Sequence, residues 1–163
     1  MAESSRRAFR GGPSNALFVA AAAERLPAEL RGLADELTIL FPWGSLLRGT
    51  LALDDAAAAS AGIASLLAPG GVATAVVSIE DRDGLELPRL DAESACEALR
   101  DGWSRHGREL CVLRPATAAE LAATRSSWAR RLAAGRDRVA WRIELRAFGG
   151  PDIPPRDALG PHR

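Results

Sequence analysis

The sequence predicts an α/β protein built on a mostly parallel sheet. Short apolar runs of the buried-strand kind alternate along the chain with stretches of helix propensity. Those helical stretches are long enough to act as crossovers between parallel strands. One late segment instead alternates apolar and charged residues with period two, the pattern of a strand with one wet face. It fits an antiparallel addition at the sheet edge.

Each element follows from local composition. Glu3 to Arg10 (ESSRRAFR) reads as the tail of a helix, stopped by Gly11, Gly12 and Pro13. Asn15 to Ala22 (NALFVAAA) is an apolar strand-like run, and Pro27 to Leu33 supports a short helix. Glu36 to Phe41 (ELTILF) is a second buried strand, followed by a loop or tight turn from Pro42 to Gly49. The alanine-rich stretch Asp54 to Leu67 enters a helix at an acidic cap, and Pro69-Gly70-Gly71 closes it. Val72 to Ile79 (VATAVVSI) is a third strand, Asp91 to His106 an amphipathic helix, and Leu110 to Leu113 a fourth strand. Thr117 to Thr124 and Ser126 to Ala133 suggest short helical pieces. In the final strand Val139, Trp141, Ile143 and Leu145 share one face, while Arg138, Arg142, Glu144 and Arg146 occupy the other. Four prolines from Gly149 onwards predict a disordered tail, so the folded unit is residues 1–148 and the tail 149–163. There is no internal repeat.

Bulk properties exclude several classes. A chain of 163 residues suits one domain, and 47% hydrophobic with 26% charged residues is not the balance of a disordered protein. No apolar run reaches the roughly 20 residues of a membrane-spanning helix, and no secretion signal opens the chain. A cytoplasmic protein is expected. Cys96 and Cys111 make no disulfide framework and are expected to be buried thiols. The net charge of zero conceals a pattern: all 21 basic residues are arginine, as a GC-rich genome would produce. Seven arginines stand against Asp137 and Glu144 between Arg125 and Arg146, whereas acids outnumber arginines from Glu80 to Glu109. Such asymmetry is what a one-sided anionic partner requires.

Conventional catalytic signals are nearly absent. No G-x-S-x-G elbow, C-x-x-C pair or H-E-x-x-H helix occurs, which argues against acid–base hydrolysis and metal chemistry. His106 sits near a helix C-terminus, where positive charge is favoured without any function, and His162 lies in the tail. Three segments stand out: FVAAAAERLP (Phe18 to Pro27), LFPWGSLLRG (Leu40 to Gly49) and RSSWARRL (Arg125 to Leu132). In open α/β sheets ligands bind beyond the carboxyl ends of strands, and Glu24 and Trp43 lie just past two such ends. Taken singly, Trp43 reads as a core-capping aromatic and Trp128 as a helix-packing residue. Together with the arginine cluster they suggest an aromatic clamp for a nucleobase. Stacking at roughly 1–3 kcal/mol per base would offset the cost of flipping it out.

The segments NALFVAAAAERLP, ELTILFPWGSLLRG and SSWARRL-x3-R-x-R resemble the 16S ribosomal RNA adenine-N1 methyltransferases of the kanamycin–apramycin resistance type, in order, from about Glu3 to Arg146. The resemblance implies a class I (Rossmann-like) S-adenosylmethionine methyltransferase sheet and methylation of adenine-1408 in the decoding-site helix of the 30S subunit. That modification gives aminoglycoside resistance. It implies that Trp43 and Trp128 hold the flipped adenine. Ala23 and Glu24 would lie against the adenine of S-adenosylmethionine, with Ser45 and Ser126 near cofactor and target base. Arg131, Arg136 and Arg138 would bind the RNA backbone, joined by the basic linker residues Arg6, Arg7 and Arg10. The family gives no reason to expect more than a monomer. Adenine N1 carries a free lone pair, so such an enzyme needs no general base, and positioning supplies much of the rate.

The chain also departs from that family. The glycine-rich loop after the first strand and the ribose-binding acid after the second are absent, so the resemblance implies a sheet lacking its first two strands. Removing them is expected to expose an apolar edge on the Glu36–Phe41 strand and to detach Asn15–Ala22. Met1 is the chain's only methionine and falls in residues that read as mid-helix, which points to a start assigned too far downstream or to a truncated gene. An active methyltransferase, an inactive RNA-binding remnant and a generic α/β domain with core tryptophans are the three readings that follow.

Overall fold

The computed structural model describes residues 16, 18–79, 90–127 and 139–148. Among the described residues four strands form one sheet: β1 (Ala34–Leu40), β2 (Leu67–Val77), β3 (Arg108–Pro115) and β4 (Trp141–Ala147), in the spatial order β1-β2-β4-β3. β1 pairs with β2 in parallel, whereas β4 is antiparallel to both its neighbours. The sheet is therefore mixed where the sequence predicted a mostly parallel one. The period-two strand is antiparallel as expected, but it lies between β2 and β3 and not at the edge. Two half-buried faces do not distinguish an edge strand from an inner one when a polar cover lies over the second face.

Register explains the alternation. Ile39, Ala75 and Ile143 lie side by side across the sheet, as do Leu37, Ala73 and Leu145, and all belong to or pack on the core. Arg142, Glu144 and Arg146 face the other way, as their period predicts. Among the described residues, three helices pack on the core, α1 (Gly44–Thr50), α2 (Ala57–Leu66) and α3 (Glu93–Ser104), while a fourth, α4 (Ala118–Ala123), buries no residue. Trp103 of α3 is fully buried and donates its indole N–H to the Thr50 carbonyl at 3.2 Å. Ser60 of α2 donates to the Gly49 carbonyl at 2.9 Å. A Cβ on Gly49 would stand 2.5 Å from that of Ala59, so glycine there permits the α1–α2 crossing.

That contact accounts for one misreading. Pro42 to Gly49 looked like a loop because it holds two glycines and a proline, yet residues from Gly44 form α1, anchored by buried Leu47 and Leu51 one turn apart. Pro69-Gly70-Gly71, expected to close α2 ahead of a strand, instead lies inside β2. α2 ends at Leu66, and β2 begins at Leu67, paired with Ala34 before the register shifts to Val72 against Glu36. Gly70 takes φ +79° within that bulge. The short helix expected over Pro27 to Leu33 is reduced to a single 3-10 turn, Ala28–Leu30, with another, Ala23–Arg25, ahead of it.

Ala16 and the residues from Phe18 to Ala22 carry no strand, so the expected Asn15–Ala22 strand is not part of this sheet among the described residues. Phe18 and Val19 are exposed, as are Leu33 and Leu40 at the ends of the edge strand β1. Cys111 is exposed and Cys96 half-buried, neither in a disulfide, which corrects the expectation of two buried thiols; Cys111 is the extra residue where the register of edge strand β3 shifts between Leu110 and Val112. No helix among the described residues is long and apolar enough to cross a membrane. The expected helix over Glu3 to Arg10, most of that over Ser126 to Ala133 and the tail 149–163 lie outside the described residues.

Candidate cofactor and nucleobase site

Leu40 to Gly49 and the described start of Arg125 to Leu132 follow strands that run in the same direction. β1 and β2 run in parallel, and β3 shares their direction because it is antiparallel to β4, which is antiparallel to β2. The segments that leave β1 and β3 therefore emerge on the same side, beyond the carboxyl ends, where open α/β sheets bind ligands.

Trp43 follows β1 directly and is the N-terminal flanking residue of α1. Its side chain is 83% exposed, so it caps no core. The backbone around it is unusual. Phe41 takes φ +48° and Gly44 φ +58°, with Pro42 buried between Phe41 and the extended Trp43. A non-glycine residue in the left-handed region costs of order 1 kcal/mol and persists only where its surroundings hold it. Here the strain reverses the chain at the strand end and leaves an indole face in water.

Glu24 lies in the first 3-10 turn, close enough to the Ser45 hydroxyl of α1 for that group to favour the ionised carboxylate. Ser45, helped by the backbone of Glu24 itself and by neighbouring Arg25, holds the carboxyl below its ordinary value, so it is ionised at neutral pH. Ala23, half-buried, packs on the core beside it. The structure thus brings Ala23, Glu24 and Ser45 together, with Trp43 two residues from Ser45. Ser126 stands apart, after α4. Arg125 ahead of it takes φ +51°, and the Ser126 N–H donates to Thr124 Oγ1 at 3.2 Å. Trp128, Arg131, Arg136, Arg138, Arg6, Arg7 and Arg10 lie outside the described residues.

One residue the sequence reading missed organises the α4 side. The Glu120 carboxylate accepts from both terminal nitrogens of Arg114 at 2.9 and 2.6 Å, from Arg142 at 3.2 Å, and from the Thr117 N–H at 2.8 Å and hydroxyl at 3.0 Å. Arg142 and Arg146 in turn bracket Glu144 at 3.0 and 2.9 Å. The paired Arg114 guanidinium, with Thr117, lowers Glu120 to about 2. The signal was legible: Thr117-x-x-Glu120 is a capping-box spacing, and both halves of the box form. His106, read as favoured in its charged form at a helix end, is instead pushed towards the neutral form by burial and by neighbouring Arg105. Its ring sits edge-on to Trp103 at 6.0 Å.

Sequence comparison matches residues 1–147 to the NpmA family of 16S rRNA (adenine(1408)-N(1))-methyltransferases. The chain belongs to this family. A 16S rRNA (adenine(1408)-N(1))-methyltransferase of Streptoalloteichus tenebrarius is 34% identical over 142 residues, a match covering 84% of this chain and 64% of that relative. The chain thus spans less than two thirds of that relative's length. The solved 16S rRNA methyltransferase KamB superposes with a TM-score of 0.73 at 31% identity, covering 90% of this chain and 71% of that one. A tryptophan-to-alanine mutant of the Catenulisporales acidiphilia 16S rRNA (adenine(1408)-N(1))-methyltransferase, solved with its cosubstrate SAM, gives 0.73 at 30% identity, covering 94% and 72%. In this family member the four-stranded sheet and the helices on it are accordingly a methyltransferase fold.

Proposed function

We propose that this chain methylates N1 of adenine-1408 in the 16S rRNA of the small ribosomal subunit, in the cytoplasm and as a monomer, and so confers aminoglycoside resistance. The observation that carries the proposal is Trp43: a large aromatic, 83% exposed, held by strained backbone beside the Glu24–Ser45 pair in a member of this family. Core residues are not presented to solvent in this way.

The chemistry of the described residues fits S-adenosylmethionine. An ionised carboxylate beside a hydroxyl, over a half-buried alanine, offers hydrogen-bond acceptors and an apolar contact to a purine such as the cofactor's adenine. When bound, the cofactor would supply an electrophilic methyl group on a sulfonium. The chain's own residues then act by placement. Trp43 stacks one face of the target adenine and Trp128 the other. Ser45 and Ser126 orient cofactor and base. Arg131, Arg136 and Arg138, with Arg6, Arg7 and Arg10, neutralise phosphates of the ribosomal RNA. The reacting nitrogen already carries its lone pair, so no proton need be removed. The methylated base is cationic, and a stacked indole favours a cation over a neutral ring.

The test is transfer of labelled methyl from S-adenosylmethionine to purified small subunits by the 163-residue chain. Incorporation at adenine N1 that disappears in Trp43→Ala with the fold retained supports the reading. Incorporation undiminished in a Trp43→Ala, Trp128→Ala double variant sinks the aromatic clamp. Salt-dependent RNA binding with no incorporation and no cofactor binding would leave an RNA-binding protein without transferase activity.

A further inference from the structure

Gly62 sits in the interior of α2, amid Ala57, Ala58, Ala59, Ala61 and Ala64, where alanine is the better helix residue. An isolated glycine in such a run marks either a weak point or a close approach. The geometry identifies the second. A Cβ at position 62 would lie 1.8 Å from the Ala23 carbonyl oxygen and 2.8 Å from its carbon, both backbone atoms, with Leu26 Cδ1 next at 3.5 Å. The missing methyl is therefore the space that the Ala23–Arg25 turn occupies. The segment is tied to α2 a second time, where the Gly32 N–H donates to the Ser65 carbonyl at 2.8 Å.

We propose that Gly62 is a positioning residue for the cofactor: it lets the turn carrying Ala23 and Glu24 seat directly on α2, at the height where Glu24 meets Ser45. This rests on the reading of Ala23, Glu24 and Ser45 as cofactor contacts. α1 is locked to α2 through Ser60 and Gly49, so Ser45 cannot follow if the turn is lifted. A methyl at position 62 moves one partner of the Glu24–Ser45 pair and not the other. No contact between Gly62 and the cofactor is involved.

The test is Gly62→Ala in the full chain, read three ways. Helix content and thermal midpoint report the fold. The titration of the Glu24 carboxyl, followed by NMR, reports whether Ser45 still lies beside it. Equilibrium binding of S-adenosylmethionine reports the site. The expected result is retained helix content, a Glu24 titration moved up to the ordinary carboxylate range, and cofactor affinity lowered about tenfold, the factor that corresponds to about 1.4 kcal/mol. Ser45→Ala should shift Glu24 in the same direction, and combining it with Gly62→Ala should shift Glu24 no further. Leu26→Ala removes a side chain that packs on α2 at position 62 without altering any α2 residue, loosens the turn and should move Glu24 in the same direction, which preserves the test if Gly62→Ala fails to fold. An unchanged Glu24 titration in a Gly62→Ala protein of raised thermal midpoint would overturn the proposal, because it would show glycine there to be only a poor helix residue. If the unaltered chain binds no S-adenosylmethionine, the cofactor reading falls, and with it the role assigned to the turn. The Glu24 titration still separates that outcome from a failure of the Gly62 geometry.

Discussion

Replacing Glu120 by Gln should make the stability of this protein less dependent on acid. The Glu120 carboxylate joins the ends of β3 and β4 to the first turn of α4 and is lowered from 4.5 to about 2, chiefly by Arg114. The drop from 4.5 to about 2 corresponds to about 3 kcal/mol. The carboxylate is 23% exposed and Arg114 45%, so solvent screening reduces the useful figure to about 2 kcal/mol. The sign follows from linkage. The folded state holds the group ionised, so its contribution is fully present above about pH 4.5 and is lost as pH falls towards 2. Glutamine keeps an oxygen that can accept from the Thr117 N–H and so isolates the charge from the cap. Urea unfolding of both proteins at neutral pH, near pH 4 and near pH 2.5 measures the difference, in which all other carboxylates cancel. The expected gap is about 2 kcal/mol at neutral pH, shrinking towards zero in acid. A gap of equal size at every pH would refute the electrostatic argument, and no gap at neutral pH would refute the role of Glu120 altogether.

Three further outcomes test the architecture. Trp43→Ala should leave stability within about 0.5 kcal/mol, since the side chain is exposed, yet weaken small-subunit binding by about tenfold through lost stacking; filter binding at fixed salt checks the second and thermal melting the first. Trp103→Phe should cost about 1–3 kcal/mol in urea unfolding, because the Thr50 carbonyl loses its donor at 3.2 Å inside the core. Gly49→Ala should destabilise by about 1–3 kcal/mol although alanine favours helix, because its methyl would meet Ala59 at 2.5 Å; a melting point above that of the unaltered chain would contradict the crossing.

The strands that were read correctly are those whose neighbours are also strands of the described sheet. ELTILF, VATAVVSI and the period-two segment carried their fold in local pattern, because burial on one or both faces leaves a signature that needs no partner to read. Two of the errors share a cause: a glycine read as a breaker where it is a contact. Gly49 made a helix look like a loop, and Gly70-Gly71 made the start of β2 look like a terminator, because the atoms that require glycine there, Ala59 and the Ala34 carbonyl, lie elsewhere in the chain. Sheet order was hidden for a similar reason. Alternation shows that β4 has two unlike faces, but not that the polar one is covered by an Arg142–Glu144–Arg146 ladder with strands on both sides. In the site, Trp43 after a strand end was legible as a candidate. Its exposure was not, since that depends on left-handed backbone at Phe41, which no propensity forecasts.

The two halves of the candidate site hang on separate anchors. The Ala23–Arg25 turn and Ser45 are held through α2, by the Gly62 approach and the Ser60–Gly49 bond. Ser126 follows α4, whose first turn is pinned to β3 and β4 by Glu120. No hydrogen bond or ion pair of Glu120 reaches α1, α2 or the Ala23–Arg25 turn: its partners among the described residues are Arg114, Thr117 and Arg142. Perturbations of sites without shared partners add, whereas those within one network do not. Gly62→Ala and Glu120→Gln should therefore have additive effects on stability, within about 0.5 kcal/mol, while Glu120→Gln and Arg142→Gln should be strongly non-additive. Double-mutant cycles in urea decide it. Coupling between Gly62 and Glu120 beyond that margin would mean that the sheet transmits strain from one anchor to the other, and that cofactor and target base are not positioned independently.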